Sequence, residues 1–445
     1  MKRIWTPSLL ALTFGLIASP GVKAEVTLLD KDEWKINFSG FVELDAFTDS
    51  TRSLTEVVGG NPVDRPDTAN GMSGRTQFSM RNSRLAFGVL APKYGGWATK
   101  GYIEMDFLGY DPAVSTTGTT NSEGAYYTNP TLRIRHAYMN AEKDGWTVLA
   151  GQTWSLIGFQ PTYVLSTVSV APVPGTLYER TPQITILKKM DITESDSIRS
   201  GFSIVRPPQR DSRVPEFDAA VQVALGGRKS SFAATNGDVK AMPTSFAISG
   251  SLRDFVIPKA GDPNGGNDTN LGSMFALNTF VPILTADQDL GNSLAFAGEF
   301  TRGKGYADEF PSWTGNLPQL STSDTVPTTN DPNLDAGQGG FDAGGGFHIV
   351  DLRTFNLQLQ YHLPHDWMTF STIGYGQTYS DNVAGLTYVA KKVGYQRSEV
   401  YFVNLVHDVT KQMRVGLEFD HFQTNYVDNL TTNDNRIQAS TWFRF

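Results

Sequence analysis

Cationic side chains recur at alternate positions in segments that also alternate between polar and apolar residues. Arg133 and Arg135 are separated by one apolar residue, so in an extended strand both would lie on the same face. Arg84 and Lys100 lie on segments that we expect to neighbour this one, and Arg180 ends a nearby loop. A guanidinium group in a narrow, partly dry space binds carboxylate or phosphate through paired hydrogen bonds. These cations therefore predict a site that binds or conducts anions.

Carboxylates at alternate positions would supply the opposing charge. They are Glu43, Asp45, Glu104, Asp106, Glu418 and Asp420, with Arg414 on the same predicted strand as the last two. We predict that all of these charged side chains line a pore and set its selectivity. The alternative is that the cations and carboxylates mostly pair with each other and only keep the lumen wet and rigid.

The elements that must position these residues are strands with one polar and one apolar face. Residues 436–445 alternate in this way and end on Phe445, which is typical of the closing strand and assembly signal of an outer-membrane β-barrel. The pattern recurs in four further segments, residues 36–47, 97–107, 354–361 and 413–420. The sequence therefore predicts an all-β protein, a transmembrane antiparallel up-and-down β-barrel whose polar face lines the lumen.

Short turns and long loops alternate along the chain, as they do at the two rims of such barrels. The predicted short periplasmic turns lie at residues 92–96, 142–145, 191–196, within 226–242, and at 284–292, 363–366 and 407–412. The predicted long external loops lie at residues 48–74, 110–130, 156–181, 257–271 and 303–347. This number of turns implies about 16 strands. Residues 231–255 fit either an extra hairpin or an extended turn.

The N-terminus has the pattern of a secretory signal. Two cations precede an apolar core at residues 9–18, and small residues offer a cleavage site after Ala24. We therefore predict a signal peptide at residues 1–24, a short periplasmic segment at 25–35 and a barrel domain at 36–445. The predicted location is the cell outer membrane of a Gram-negative bacterium.

The composition disfavours several other classes of site. The chain has no cysteine, so it offers neither disulfides nor a thiolate metal site. Its formal net charge of −8 argues against nucleic acid as a partner. His362 and His365 form a pair in a turn without a third ligand, and the Asp- and Gly-rich residues 262–268 and 331–346 lack the fixed spacing of a calcium loop. We predict no metal, no cofactor and no enzymatic activity.

Several short motifs occur in a particular order along the chain. They are Ser83-Arg84-Leu85, residues 133–138 (RIRHAY), 151–155 (GQTWS) and 178–183 (YERTPQ), Val403-Asn404-Leu405, and residues 435–440 (NRIQAS). In these motifs the chain resembles the DcaP-like porins of Gram-negative outer membranes and, more distantly, the phosphate-selective porins.

The resemblance implies a trimer of barrels, each with its own channel, and uptake of small, often anionic solutes. It also implies that the third external loop, here residues 156–181, folds into the lumen. Some relatives carry an N-terminal coiled coil, whereas residues 25–35 of this chain are too short for one.

We therefore predict a porin, a water-filled channel for passive diffusion of small hydrophilic solutes with a preference for anionic ones such as carboxylates. The predicted partners are outer-membrane lipid, lipopolysaccharide, the solutes and further copies of the chain in a homotrimer. An energised receptor is disfavoured because the segment before the first strand has no room for a plug domain. An outer-membrane adhesin or structural barrel with surface-exposed loops is the alternative.

Overall fold

The computed structural model describes residues 25–57, 62–109, 130–160, 162–169, 172–207, 212–258, 267–286, 290–310, 313, 338–342, 347–364, 366–386 and 394–445. Its strands form a closed antiparallel β-barrel of 16 strands, which confirms the predicted fold class. No helix among the described residues is long and apolar enough to cross a membrane.

The strands, in chain order, are β1 (Glu25–Lys31), β2 (Trp34–Asp49), β3 (Arg75–Ser79), β4 (Arg84–Leu90), β5 (Ala98–Asp106), β6 (Arg133–Lys143), β7 (Trp146–Trp154), β8 (Arg180–Asp191), β9 (Ser197–Val205), β10 (Glu216–Phe232), β11 (Lys240–Pro258), β12 (Asn267–Leu284), β13 (Ser293–Lys304), β14 (Gly339–Phe341), β15 (Phe347–Ile349), β16 (Asp351–Leu363), β17 (Asp366–Ser380), β18 (Tyr395–Asp408), β19 (Met413–Tyr426) and β20 (Thr431–Arg444). Short 3-10 helices lie at Ile157–Phe159, Ala307–Glu309 and Val383–Gly385.

Eighteen of these strands hydrogen-bond in one sheet, but they fill 16 positions around the barrel. β3 and β4 pair with successive parts of β2 and act as one strand that is interrupted at residues 80–83. β1 pairs with the first part of β2, beyond the end of β20. The barrel closes where β2 pairs with β20, from Phe41 opposite Arg444 to Asp49 opposite Arg436. β14 and β15 form a separate two-stranded ribbon.

Successive residues of each barrel strand point to opposite faces of the wall. On β2, Val42 and Leu44 are 55% and 49% exposed, whereas Glu43 and Asp45 are each 1% exposed. β19 and β20 show the same alternation over almost their whole length. The apolar residues therefore face outward and the polar residues face the lumen, as the alternation predicts.

Two irregularities bring additional charged or polar residues inside. Between β5 and β6 the register shifts by one residue, so the consecutive residues Arg135 and His136 are both buried. Arg81 would lie on the outer face if the strand continued without a break. It is buried because it lies in the interruption between β3 and β4, where its Nη1 is 2.5 Å from Glu56 Oε1.

The segment that fitted two interpretations, residues 231–255, holds most of β11, and the turn before it is residues 233–239. It is therefore neither an extra hairpin nor an extended turn. A register shift between Leu225 and Lys229 lets the end of the β10–β11 hairpin bend into the barrel. We call residues 226–242 the inner hairpin.

Residues 25–35, predicted as a periplasmic segment, form β1 and a tight turn into β2. Asp32 and Glu33 have φ angles of 51° and 67°, which a two-residue type I′ hairpin turn requires. β1 continues the line of β20 along β2. At the junction, Gly40 N–H donates to Phe445 O at 2.8 Å and Phe445 N–H donates to Gly40 O at 3.0 Å. The two ends of the described chain therefore meet at one point of the barrel wall.

Candidate functional site

One long loop crosses the polar lumen. We call its described residues, 155–160, 162–169 and 172–179, the lumen loop. The backbone N–H groups of Val168 and Ser169 each donate to a carboxylate oxygen of Glu418 at 2.7 Å. Ser169 Oγ also donates to Asp420 Oδ2 at 2.7 Å. The loop therefore reaches from β7 to β19, and its predicted folding into the lumen is confirmed.

The lumen loop lies directly against the barrel wall at Gly175. This glycine has φ +85°, and a Cβ atom there would be 2.4 Å from the carbonyl oxygen of Phe355. Its N–H donates to Thr378 Oγ1 at 2.9 Å. Only a glycine allows both this backbone conformation and this close approach. The glycine at position 175 therefore allows the lumen loop to pack directly against the inside of the barrel wall.

The inner hairpin occupies part of the lumen from the short-turn end. Ala233 N–H donates to Gln360 Oε1 at 2.7 Å, and Arg414 Nη1 donates to the carbonyl oxygens of Thr235 and Gly237 at 2.6 Å each. In the lumen loop, Ser166 Oγ donates to Ala233 O at 2.8 Å. The loop and the hairpin therefore touch, next to β16 and β19.

Four arginines gather on the β4–β8 side of the barrel. We call Arg84, Arg133, Arg135 and Arg180, together with the carboxylates Glu104 and Asp106, the arginine cluster. Arg133 forms a two-pronged ion pair with Asp106 at 3.0 and 2.7 Å. Arg135 donates to Glu104 Oε1 at 2.7 Å and to Asp106 Oδ2 at 2.9 Å. Arg133 and Arg135, two of the predicted selectivity residues, are therefore paired with carboxylates. This pairing agrees with the alternative interpretation, in which the lumen charges mostly pair with each other.

Arg84 and Arg180 have no close carboxylate partner among the described residues. Arg84 Nη2 donates to Asn82 Oδ1 at 3.3 Å, and its Nη1 is 3.9 Å from Glu104 Oε1. The guanidinium of Arg180 lies over the Trp154 ring at 4.7 Å from its centroid. Arg84 Nε and Arg180 Nη1 are buried, and neither atom has a hydrogen-bond partner within the described ranges. Four guanidinium groups against two carboxylates give the cluster a formal charge of +2.

Tyr178, the residue before the last of the lumen loop, lies among these arginines. Arg135 Nη2 donates to its hydroxyl oxygen at 3.5 Å, and the guanidinium of Arg180 lies 5.2 Å from its ring centroid. Burial by itself would raise the pKa of the Tyr178 hydroxyl, but the positive charges of Arg135, Arg180 and Arg84 lower this pKa to about 7. Tyr178 therefore adds a negative charge to the cluster as the pH rises through neutrality.

We expect ion selectivity to depend on pH through Tyr178. Its ionisation lowers the combined formal charge of the arginine cluster and Tyr178 from +2 to +1, so the anion-to-cation permeability ratio should fall about three- to tenfold between about pH 6 and pH 8.5. Reversal potentials across a salt gradient measure this ratio, and ultraviolet absorbance of the phenolate reports the titration. The ratio of a Tyr178→Phe channel should stay constant over the same range. A wild-type ratio that stays constant while Tyr178 titrates would contradict the coupling.

Carboxylates gather on a second part of the lumen wall, around Arg253. Arg253 Nη2 is 2.7 Å from Glu216 Oε2, and its Nη1 is 2.5 Å from Asp308 Oδ1. Burial, together with the nearby carboxylates of Asp308 and Glu309, raises the pKa of Glu179 well above its usual value. A larger share of Glu179 is therefore neutral at pH 7 than for an exposed glutamate. The cationic and the carboxylate-rich parts of the wall meet where Glu179 precedes Arg180.

Lys100 lies away from the arginine cluster. It lines a cavity of about 1060 Å³ at the short-turn end of the barrel, with Lys189, Arg199 and Glu142 among its neighbours. Arg199 Nη1 donates to Gln222 Oε1 at 3.1 Å. The alternating pattern of β9 identifies Arg199 as a lumen residue, although Arg199 is not among the predicted pore-lining residues.

Glu43 and Asp45 also lie outside the arginine cluster. Asn82 Nδ2 donates to Glu43 Oε2 at 2.6 Å, and Gln438 Nε2 donates to Asp45 Oδ1 at 3.1 Å. These two carboxylates therefore bind residues on the neighbouring parts of the wall. Arg414 binds Asp408 through two hydrogen bonds of 2.7 Å and holds the inner hairpin at the same time.

No group of three His, Cys, Asp or Glu residues in the described part of the chain is arranged to hold a metal ion. His362, expected in a turn, is buried, and its Nε2 lies 3.0 Å from Gln360 Oε1. His365 and most of the two Asp- and Gly-rich loops lie outside the described residues.

Several solved structures of outer-membrane proteins have a fold similar to that of this chain. No family model matches the chain, and no curated protein is significantly similar to it in sequence. The outer membrane channel DcaP of Acinetobacter baumannii has a TM-score of 0.64 at 17% identity, over 94% of this chain and 100% of that chain. OmpF of Salmonella typhi has a TM-score of 0.49 at 10% identity, over 95% of this chain and 100% of that chain. OprB of Pseudomonas putida has a TM-score of 0.47 at 11% identity, over 92% and 94% respectively. The similarity to DcaP confirms, at the level of the fold, the resemblance predicted from the motifs.

Proposed function

We propose that this chain forms an outer-membrane channel through which small hydrophilic solutes diffuse passively, with a preference for anionic solutes such as carboxylates. The observation that carries the proposal is the arginine cluster inside a closed barrel. Its formal charge is +2, and Arg84 Nε and Arg180 Nη1 have no hydrogen-bond partner in the part of the chain that the structure describes. The positive charge of the cluster would attract a solute carboxylate, which guanidinium groups bind through charge-assisted hydrogen bonds.

The outer face of the barrel supports insertion in a membrane. Its strands carry exposed apolar side chains such as Ile103, Ile184, Ile248 and Leu417. A charged side chain on the lipid-facing surface of a barrel costs about 2–4 kcal/mol at the bilayer midplane, so an apolar outer face favours insertion. Export by a signal peptide at residues 1–24 and assembly into a homotrimer belong to the same proposal.

The cavity at the short-turn end adds further cations to the lumen near the arginine cluster. Lys100, Lys189 and Arg199 line this cavity, and Tyr138 lies both in its wall and 5.5 Å from the ring centroid of Tyr102. Tyr102 in turn donates to Glu104 of the arginine cluster at 2.9 Å. Successive polar side chains therefore connect the cavity with the cluster.

One observation favours a second candidate function. The lumen loop and the inner hairpin pack against each other and against the wall, and many inward-facing polar residues are buried. A barrel filled in this way would suit a structural barrel or an adhesin that displays its long loops. Conductance separates the two candidates because only a channel passes ions.

The test is the conductance of the purified protein in a planar lipid bilayer. We expect discrete conductance steps and, under a salt gradient, a reversal potential on the anion-selective side. The matched control is the same preparation after heat denaturation. Folded protein that inserts without producing conductance steps would favour the structural barrel and contradict the channel.

A further inference from the structure

The outer face of the barrel carries a groove among its apolar side chains. The groove has a volume of about 550 Å³ and spans β9 to β13 near the long-loop end of these strands. Pockets that bind small molecules have volumes of about 300–1,000 Å³, so this groove has the size of a ligand site.

The floor and walls of the groove follow from the register of the sheet. Phe202 lies opposite Ala219, Ala219 opposite Gly250, and Gly250 opposite Phe275. The two small residues leave a gap between the aromatic rings. One wall is extended by Phe217, which stacks on Phe202 with ring centroids 6.1 Å apart. The groove therefore has a narrow apolar floor between aromatic walls, a shape that suits an extended hydrocarbon chain.

Cations lie at the long-loop end of the groove. Arg302 is the register partner of Phe275 and Lys304 that of Ser273, and both cations line the groove. Their side chains are 52% and 57% exposed. Their contacts with Asp351 Oδ2 are loose, at 3.7 Å for Arg302 and 3.6 Å for Lys304. Both side chains can therefore donate to a further anionic group at the end of the groove.

A third cation adds to the same patch. Arg353 is the register partner of Arg302, and its Nη2 is 3.1 Å from Asp381 Oδ1. Three cations thus face the two carboxylates of Asp351 and Asp381, which leaves a formal charge of +1. The position and sign of this charge complement a phosphate carried at the end of an acyl chain.

We propose that this groove binds lipopolysaccharide, with an acyl chain of its lipid A anchor along Ala219 and Gly250 and a phosphate at Arg302 and Lys304. The proposal rests on the proposed placement in the outer membrane, where the long-loop end faces the external leaflet. Lipid A fits the two parts of the site because it joins acyl chains to phosphates on one sugar backbone. A zwitterionic phospholipid would match the apolar part but carries no net charge for the basic patch.

The test is lipid retention by the purified full-length protein, measured by native mass spectrometry. The probe is bisphosphorylated lipid A, added with an equal amount of phosphatidylethanolamine. Ala219→Trp fills the floor without changing charge, and the double variant Arg302→Gln, Lys304→Gln removes charge without filling the groove. We expect each variant to retain about tenfold less lipid A than the wild type. We also expect wild-type protein to retain lipid A without its phosphates as weakly as the charge variant retains intact lipid A.

Two substitutions elsewhere on the outer face serve as matched controls. Ala150→Trp adds the same ring on β7, opposite Ile184, and Lys188→Gln removes a cation that lies over Trp146. Both control proteins should retain lipid A like the wild type.

Equal retention of lipid A by the wild type and both site variants would overturn the proposal, and so would equal retention of phosphatidylethanolamine by the wild type. Loss of oligomers in Ala219→Trp with unchanged lipid A retention would assign the groove to a second copy of the chain instead. Retention requires no open pore. Lipid A binding by a barrel without conductance would therefore contradict the proposed channel and leave this inference standing.

Discussion

Replacing Arg84 and Arg180 by glutamate should turn an anion-preferring channel into a cation-preferring one. The double substitution changes the formal charge of the arginine cluster from +2 to −2, because each replacement removes one positive charge and adds one negative charge. At about 10 Å and an effective dielectric constant near 20, one unit charge shifts the energy of a monovalent ion by about 1.7 kcal/mol. Every 1.4 kcal/mol is a factor of ten, so the anion-to-cation permeability ratio should fall more than tenfold.

Reversal potentials in planar bilayers measure this change, and two further variants make the result interpretable. Arg84→Gln with Arg180→Gln only neutralises the charges, so it should give an intermediate ratio even if the glutamate variant folds poorly. Lys188→Glu reverses a charge on the outer face and should leave the ratio unchanged. If the folded glutamate variant keeps the wild-type reversal potential, Arg84 and Arg180 do not select ions. The remaining predicted cations would then be Lys100, Arg133, Arg135 and Arg414.

Replacing Phe445 by aspartate should strongly reduce the amount of folded barrel in the outer membrane. Phe445 forms two backbone hydrogen bonds with Gly40, and its ring lies 5.2 Å from that of Phe38. Aspartate keeps the two backbone hydrogen bonds, so the loss comes from the side chain. Burial of an aromatic side chain contributes about 1.5–3 kcal/mol, and an aromatic pair adds about 0.5–1.5 kcal/mol. A loss of about 2 kcal/mol at the point of closure corresponds to more than a tenfold lower yield.

Quantitative detection of heat-modifiable barrel in outer-membrane fractions gives this yield. Phe445→Tyr keeps the ring and should assemble like the wild type. Thr431→Asp places the same charge on the exposed face at the other end of β20 and should have little effect. A normal yield of the Phe445→Asp protein would show that closure and assembly do not depend on the terminal aromatic residue.

Alternation along single strands was sufficient to predict the barrel and the direction of most side chains. Glu104, Asp106 and Arg135 were all placed in the lumen by this rule, and all three are buried. The rule has no information about register, so it could not predict the bulge that keeps His136 inside after Arg135. One inserted residue inverts the facing of everything that follows it in the strand.

The spacing of the charged residues could not predict which of them pair with cations and which bind the lumen loop or the inner hairpin. Glu418 and Asp420 were expected to oppose the cations, but they accept hydrogen bonds from the lumen loop. The turn within residues 226–242 was predicted, but the folding of the inner hairpin into the lumen was not, for a related reason. Its serines, threonine and glycines have the composition of an exposed turn, and their burial depends on Gln360 and Arg414 of distant strands. Composition describes a segment, whereas these roles depend on partners far along the chain.

The anchors of the lumen loop and the inner hairpin also constrain the order of folding. Val168 and its partner Glu418 are 250 residues apart in sequence, and Thr235 and its partner Arg414 are 179 residues apart. Contacts of such long range require large loops to close before they can form, and chains rich in them fold slowly. Neither segment has all of its anchors until β19 has been made, although each also binds an earlier strand, through Thr378 of β17 for the lumen loop and Gln360 of β16 for the inner hairpin. The interior of this barrel is therefore completed from its C-terminal end, although most of the residues that fill it are made earlier.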